Sequence, residues 1–268
     1  MRTRDWSSLK TTSNVQCKLF SIIQSARTAC ATCLALGISG DALIRARPAS
    51  AGANTSTLHY LTRTPGSLAI LRDLLQRNPT LAISITGEAL CRGLSPAAGS
   101  RESTSALYWL TRTPNGRRIL QDLFRRDQTL IMSVSGEALC RVRPARANVD
   151  ANTSALYYLA ESPDGRRILK DLLRRHEGLA SAITAEVLDR QLVGIHRGQS
   201  IYSQLNGNSD GREILSQLYA VQPGLRETLE RSQQRQSVVV INQANMGLFS
   251  NRSSSSNSSN APQSGSNP

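Results

Sequence analysis

Apolar residues recur along this chain in short bursts at helical spacing. The clearest burst is "PNGRRILQDLFRR", Pro114 to Arg126. Ile119 and Leu123, and Leu120 and Phe124, stand four apart and make one apolar stripe, while Arg117, Arg118, Gln121, Asp122, Arg125 and Arg126 take the other face. Such a 3.6-residue period predicts an amphipathic helix buried along one side. Pro163 to Arg175 repeat it, with Ile168, Leu169, Leu172 and Leu173 against Arg166, Arg167, Lys170, Asp171, Arg174 and Arg175. A shorter helix precedes each. In "ALYWLTR", Leu107 and Leu110 mark the buried face and Ser105 is suited to the N-cap. Thr113 and Pro114 then end that helix and start the next, with Thr at the cap and Pro at the first helical position. Ser162, Pro163 and Asp164 do the same one copy later, and Asp164 adds favourable charge near the helix N-terminus. A third helical element follows, with Ser135 capping "GEALCRV" and Thr184 capping "AEVLDRQ". Strand signals are weak throughout, so the predicted class is all-α.

These bursts are copies of one unit. "TSTLHYLTRTPGSLAIL" (from Thr55), "TSALYWLTRTPNGRRIL" (from Thr104) and "TSALYYLAESPDGRRIL" (from Thr153) are successive versions, and "SIYSQLNGNSDGREIL" (from Ser200) is a weaker fourth. "LALGISGDALIR", "LAISITGEALCR", "LIMSVSGEALCR" and "LASAITAEVLDR" repeat in the same way. The period is 46–49 residues, which predicts a helical solenoid whose units bury their apolar faces against their neighbours. The expected order is a polar arm at 1–14 and an array at 15–232. The array divides into a partial unit at 15–49, full units at 54–100, 103–149 and 152–197, and a partial unit at 200–232. A linker and tail at 233–268 close the chain. Within the linker, "SVVVIN" reads as a strand or a last patch packed on the array. From Ser250 the Ser/Asn-rich composition predicts disorder.

Charge adds one element to this picture. Lys plus Arg number 32 against 19 acidic residues, and only Lys10, Lys18 and Lys170 are lysines. An arginine-dominated surface raises the prospects of nucleic acid, an anionic membrane surface or an acidic protein as partner. The five cysteines, Cys17, Cys30, Cys33, Cys91 and Cys140, form no disulfide framework. Cys91 and Cys140 share one repeat position and read as small core residues, and a lone CxxC at Cys30 and Cys33 is weak support for a metal. The apolar stretch Ala29 to Ser39 aligns with the repeats, so it reads as a cap of the array and not as a signal peptide. No apolar run reaches the ~20 residues needed to span a bilayer. The expected location is therefore the cytoplasm of the producing cell, with export into a host cell as the further step.

"STLHYL", Ser56 to Leu61, resembles the opening of an ankyrin repeat, with Leu58 and His59 on the Leu-His pair. Ile70, Leu74 and Leu75 fall close to the ankyrin spacing of the second helix, and the resemblance covers about two-thirds of each unit. The motif's proline is absent, Tyr108 and Tyr157 replace His59, and one residue is added before the second helix. The unit is nearer in length to HEAT and armadillo repeats, and a helix built on "SGEALCR" stands where ankyrin repeats have a β-turn finger. Degenerate ankyrin-like arrays with polar tails resemble proteins that intracellular bacterial pathogens inject into host cells. The resemblance implies a partner-binding surface, is compatible with export, and supplies no catalytic residues.

The residues themselves point away from enzymatic chemistry. There is no Gly-Lys pair for a phosphate-binding loop, no G-x-S-x-G and no H-E-x-x-H. His59, His176 and His196 occupy unrelated repeat positions. Asp73, Asp122 and Asp171 precede Arg77, Arg126 and Arg175 by four residues, the order of a surface ion pair. No cofactor or metal is expected. The arginines at the start of the second helices stand out, because the macrodipole disfavours cations there. Arg117, Arg118, Arg166, Arg167 and Arg212 read either as a solvated face or as a ridge that meets an acidic partner or phosphates. The function read from the sequence is a non-enzymatic repeat scaffold for protein–protein interaction. The alternative is binding of nucleic acid or another anionic surface through the Arg-rich helix face.

Overall fold

The computed structural model describes residues 37–46, 56–93, 104–143, 152–192 and 198–235. The expected polar arm, most of the partial front unit with Cys17, Cys30 and Cys33, His196, the "SVVVIN" segment and the Ser/Asn-rich tail lie outside the described residues. Within them the protein is all-helical, as the periodicity predicts.

The front unit contributes α1 (Gly40–Ile44). The next unit has four helices, α2 (Thr57–Arg63), α3 (Pro65–Arg77), α4 (Pro79–Ser84) and α5 (Gly87–Cys91). The second full unit repeats them as α6 (Ala106–Arg112), α7 (Pro114–Arg126), α8 (Thr129–Met132) and α9 (Gly136–Cys140). The third gives α10 (Ala155–Glu161), α11 (Pro163–Arg175), α12 (Glu177–Ala182) and α13 (Ala185–Asp189). α14 (Ile201–Asn206) and α15 (Ser209–Val221) follow. The chain divides after Gln222, and residues from Pro223 form a separate unit. That unit holds a helix, α16 (224–235), with ion pairs Arg226–Glu230 and Arg231–Glu227 along it.

The predicted caps form. The side chains of Ser105, Thr113, Ser135, Ser162 and Thr184 each accept a backbone N–H from the first turn of the helix they start. Pro114 and Pro163 stand at the first helical position, where no N–H is needed. Each full unit nevertheless has four helices where the sequence pattern predicts three. The additional one, α4, α8 or α12, is four to six residues long and has no side-chain cap. It buries only two apolar residues, such as Leu130 and Ile131, and so displays no period.

Equivalent helices lie against one another from copy to copy. α2, α6, α10 and α14 form one row, and α3, α7, α11 and α15 form a second. The third helix of one copy packs on the fourth of the copy before it, as in α1 with α4, α5 with α8 and α9 with α12. Glycine sets this last approach. A Cβ on Gly40 would collide with Ser84, one on Gly87 with Ser133, and one on Gly136 with Ala182. The recurring leucines Leu61, Leu110, Leu159 and Leu205 are all buried in the rows, as their repetition predicts. The expected Asp–Arg pairs are only partly made. Asp73 and Arg77 pair at 2.9 Å, but Asp122 turns to Arg125 at 3.3 Å and Arg126 donates instead to the Leu75 carbonyl of the preceding copy at 3.1 Å. No such pair joins Asp171 and Arg175 among the described residues.

Candidate functional site

The arginine ridge expected from the sequence is broken by burial. Arg117 and Arg166 are 7% and 9% exposed, so two of its five members do not face solvent. Both reach backwards. Arg117 Nη1 donates to the Thr111 carbonyl at 2.8 Å, and Arg166 Nη1 to the Ala160 and Glu161 carbonyls at 2.9 and 3.1 Å. Those carbonyls end the preceding helices, α6 and α10, where the last turn leaves acceptors unpaired and the dipole is negative. An arginine that is misplaced for its own helix is thus well placed for the one before. Burial pushes the Arg117 guanidinium down from its usual value, and Asp164 and Glu161 pull it back up. The neighbouring glycine makes the reach short, since a Cβ on Gly116 or Gly165 would strike Leu110 or Leu159. Arg212 makes the same bond to the Asn206 carbonyl at 3.1 Å from an exposed position. Arg118 and Arg167 are the members that project outward, the latter 3.5 Å from Asp164.

A different set of arginines converges. Arg63, Arg112 and Arg143 hold their guanidinium carbons 5.6, 5.5 and 5.6 Å from the ring centroid of Trp109, within cation–π range. No two of the three charges can lie further apart than twice that distance, about one Debye length at 0.1 M salt. Arg63 and Arg112 end α2 and α6, where a cation complements the helix dipole. Arg143 is held by its backbone, its N–H donating to the Thr153 carbonyl at 2.8 Å and its carbonyl accepting from Asn152 at 3.1 Å. Asn152 has a left-handed φ of 65° and ties the strap to the next copy through Nδ2 on the Gln191 carbonyl at 3.0 Å.

Trp109 is the anchor of this group. It is 6% exposed, and its buried indole N–H has no hydrogen-bond partner. Its ring meets Tyr108 edge-on at 5.2 Å, and Tyr108 meets Tyr158 at 5.6 Å across the copy boundary. The Tyr108 hydroxyl lies 2.9 Å from Thr153 Oγ1, and burial pushes the Tyr158 phenol well above its usual range. A rigid aromatic seam therefore supports a rim of guanidinium groups. Their N–H edges suit an anion, above all a carboxylate or phosphate gripped in two places.

The neighbouring copies do not build this group. Tyr60, Tyr158 and Gln204 replace Trp109, while Glu161 and Gly207 stand at the position of Arg63 and Arg112. Leu192 stands at the position of Arg143. The sequence pattern did not single out these arginines, because each looks like an ordinary solvated residue. The signal that was present is the one tryptophan of the array, three residues before Arg112, at a position where two other copies have tyrosine.

Among the described residues no cluster of His, Cys, Asp or Glu is arranged to hold a metal, and no helix is long and apolar enough to cross a membrane. No family model, curated protein or solved structure matches this chain.

Proposed function

We propose that the protein is a non-enzymatic helical-repeat scaffold, a solenoid of ankyrin-like helix pairs with two added short helices, that binds another protein through an acidic surface. The observation that carries this reading is the convergence of Arg63, Arg112 and Arg143 on Trp109. Tryptophan and arginine on a preorganised support are the residue types that dominate protein interfaces. The group is confined to one copy boundary, since Glu161 reverses the charge at the next one. A local patch suits a carboxylate-bearing protein better than a continuous phosphate backbone, which calls for positive charge along its whole track. The resemblance to injected ankyrin-like proteins supports a host-cell protein as that partner.

The reading is tested with a fluorescent Glu/Asp-rich peptide and the full chain, by anisotropy. Arg63→Gln with Arg112→Gln should weaken binding on the order of tenfold. Arg118→Gln with Arg167→Gln removes the same charge from the helix face and should change it less than about threefold. Equal losses from the two pairs would mean that only net charge is read, and the site would be abandoned. Tighter binding of single-stranded RNA of equal charge, lost in the Arg118/Arg167 pair, would favour the nucleic-acid alternative.

A further inference from the structure

Between second helices of adjacent copies lies a cleft whose content differs from one boundary to another. At the α3–α7 boundary it is lined by Leu75, Gln76, Ala82, Asp122, Leu123 and Arg126, and about 20 Å³ remains open. Arg126 is the plug. Its stem crosses the cleft and Nη1 donates to the Leu75 carbonyl, an acceptor in the last turn of α3.

At the α11–α15 boundary the same six positions are Leu173, Arg174, Ala180, Gln217, Leu218 and Val221, and the opening grows to about 250 Å³. Val221 stands where Arg126 stands, so the guanidinium and most of the stem are missing, and Val221 itself is 52% exposed. Two acceptors are left over. The Leu173 carbonyl, equivalent to that of Leu75, receives no hydrogen bond among the described residues. Gln217 carries a buried Oε1 that also has no partner. Arg174, the one charged residue of the lining, is turned to Glu213 at 3.4 Å, and Glu213 is also held by Lys170 at 2.6 Å. Leu173, Ala180 and Leu218 make the floor apolar.

We infer that this cleft is a binding site for an arginine side chain presented by a partner protein. The molecule contains the template: two boundaries earlier, an arginine fills the equivalent cleft and bonds the equivalent carbonyl. The incoming stem covers the apolar floor, and the planar fork reaches two acceptors in different directions, which a lysine ammonium does less well. A purely apolar occupant would bury both acceptors unpaired. The site is independent of the Trp109 patch.

The test uses the 15N-labelled full chain and N-acetyl-arginine methylamide as the probe, read by NMR. Saturable shifts are expected at the Gln217 side-chain amide and the Val221 backbone amide. The norvaline analogue, which has the stem without the guanidinium, should bind about tenfold more weakly or worse. Val221→Arg supplies the chain's own plug. It should abolish the probe's shifts while the melting temperature holds or rises, and Gln217→Leu should weaken binding without closing the cleft. Arg63→Gln with Arg112→Gln should leave the probe's affinity unchanged. Absence of saturable shifts in the wild type, equal affinity for the norvaline analogue, or undiminished binding by Val221→Arg would each overturn the inference.

Discussion

Arg166→Met separates an arginine that caps a helix from one that waits for a partner. Methionine keeps the length of the stem and its packing but deletes the guanidinium. The Ala160 and Glu161 carbonyls then lose donors at 2.9 and 3.1 Å in a place where the replaced side chain was 9% exposed. A hydrogen bond from a charged donor contributes about 1.5–3 kcal/mol, and a buried acceptor left unpaired costs about 1–3 kcal/mol. Relief of the arginine's own desolvation offsets part of this. The net loss should be about 2–3 kcal/mol. For an array of this size that corresponds to a melting temperature roughly 4–12 °C lower. The control is Arg167→Met, one residue on and exposed, whose effect should stay within about 0.5 kcal/mol. Urea unfolding followed by circular dichroism at 222 nm measures both. If the two variants unfold at the same midpoint, the backward bond of Arg166 contributes nothing and the capping argument is wrong. Arg117→Met should follow Arg166→Met, because its bond to Thr111 is of the same kind.

Leu110→Ala, at a fully buried position in the first row, should cost about 2–5 kcal/mol in the same assay, and a loss under about half of 1 kcal/mol would show that the row is not core. The α11–α15 boundary should weaken at both ends of the pH scale. Hydrogen bonding to Lys170 lowers the Glu213 pKa, so its contribution is lost as pH falls through the depressed value; the bond to Glu213 raises the Lys170 pKa, so its contribution is complete below the usual lysine value and lost as pH rises through the raised one. Unfolding midpoints of wild type and Glu213→Gln should therefore converge at low pH. Burial pushes the Cys140 thiol up to about 11, so at pH 8 Ellman's reagent should modify it slowly in the folded chain and rapidly in urea.

The legible parts of this fold were those written at helical period and those written more than once. The stripe Ile119, Leu120, Leu123 and Phe124 declares α7, and Ser105, Thr113 and Ser135 declare helix starts, because capping is a local interaction among residues three apart. α8 was illegible for the opposite reason: it packs on α7 of its own copy and on α5 and α11 of its neighbours, and its two buried residues, Leu130 and Ile131, make no pattern of their own. The fate of the arginines was illegible too. Arg117 and Arg118 are adjacent and chemically identical, yet one turns inward to a carbonyl six residues back and the other outward. Arg117 lies three and seven residues before the buried Leu120 and Phe124, and Gly116 brings α7 close enough to α6 for its guanidinium to reach that carbonyl. The convergence on Trp109 joins residues from two copies and a connecting strap, and no single-copy pattern contains it.

The glycine contacts between copies also bear on how such a gene can change length. Gly87 meets Ser133 and Gly136 meets Ala182, so the first two full copies offer their successors the same small socket, while Ala185 takes the glycine's place in the third. Excising residues 104–152 from the coding sequence would bring Gly87 opposite Ala182, a partner that Gly136 already accommodates, and would set Arg175 where Arg126 had faced the Leu75 carbonyl. An in-frame exchange between the related stretches that begin at Thr104 and Thr153 would produce this excision, and its reciprocal product would gain a copy. Matching sockets would let the array lengthen or shorten in one genetic event, and such an excision would remove Trp109, Arg112 and Arg143 together while leaving Arg63 behind.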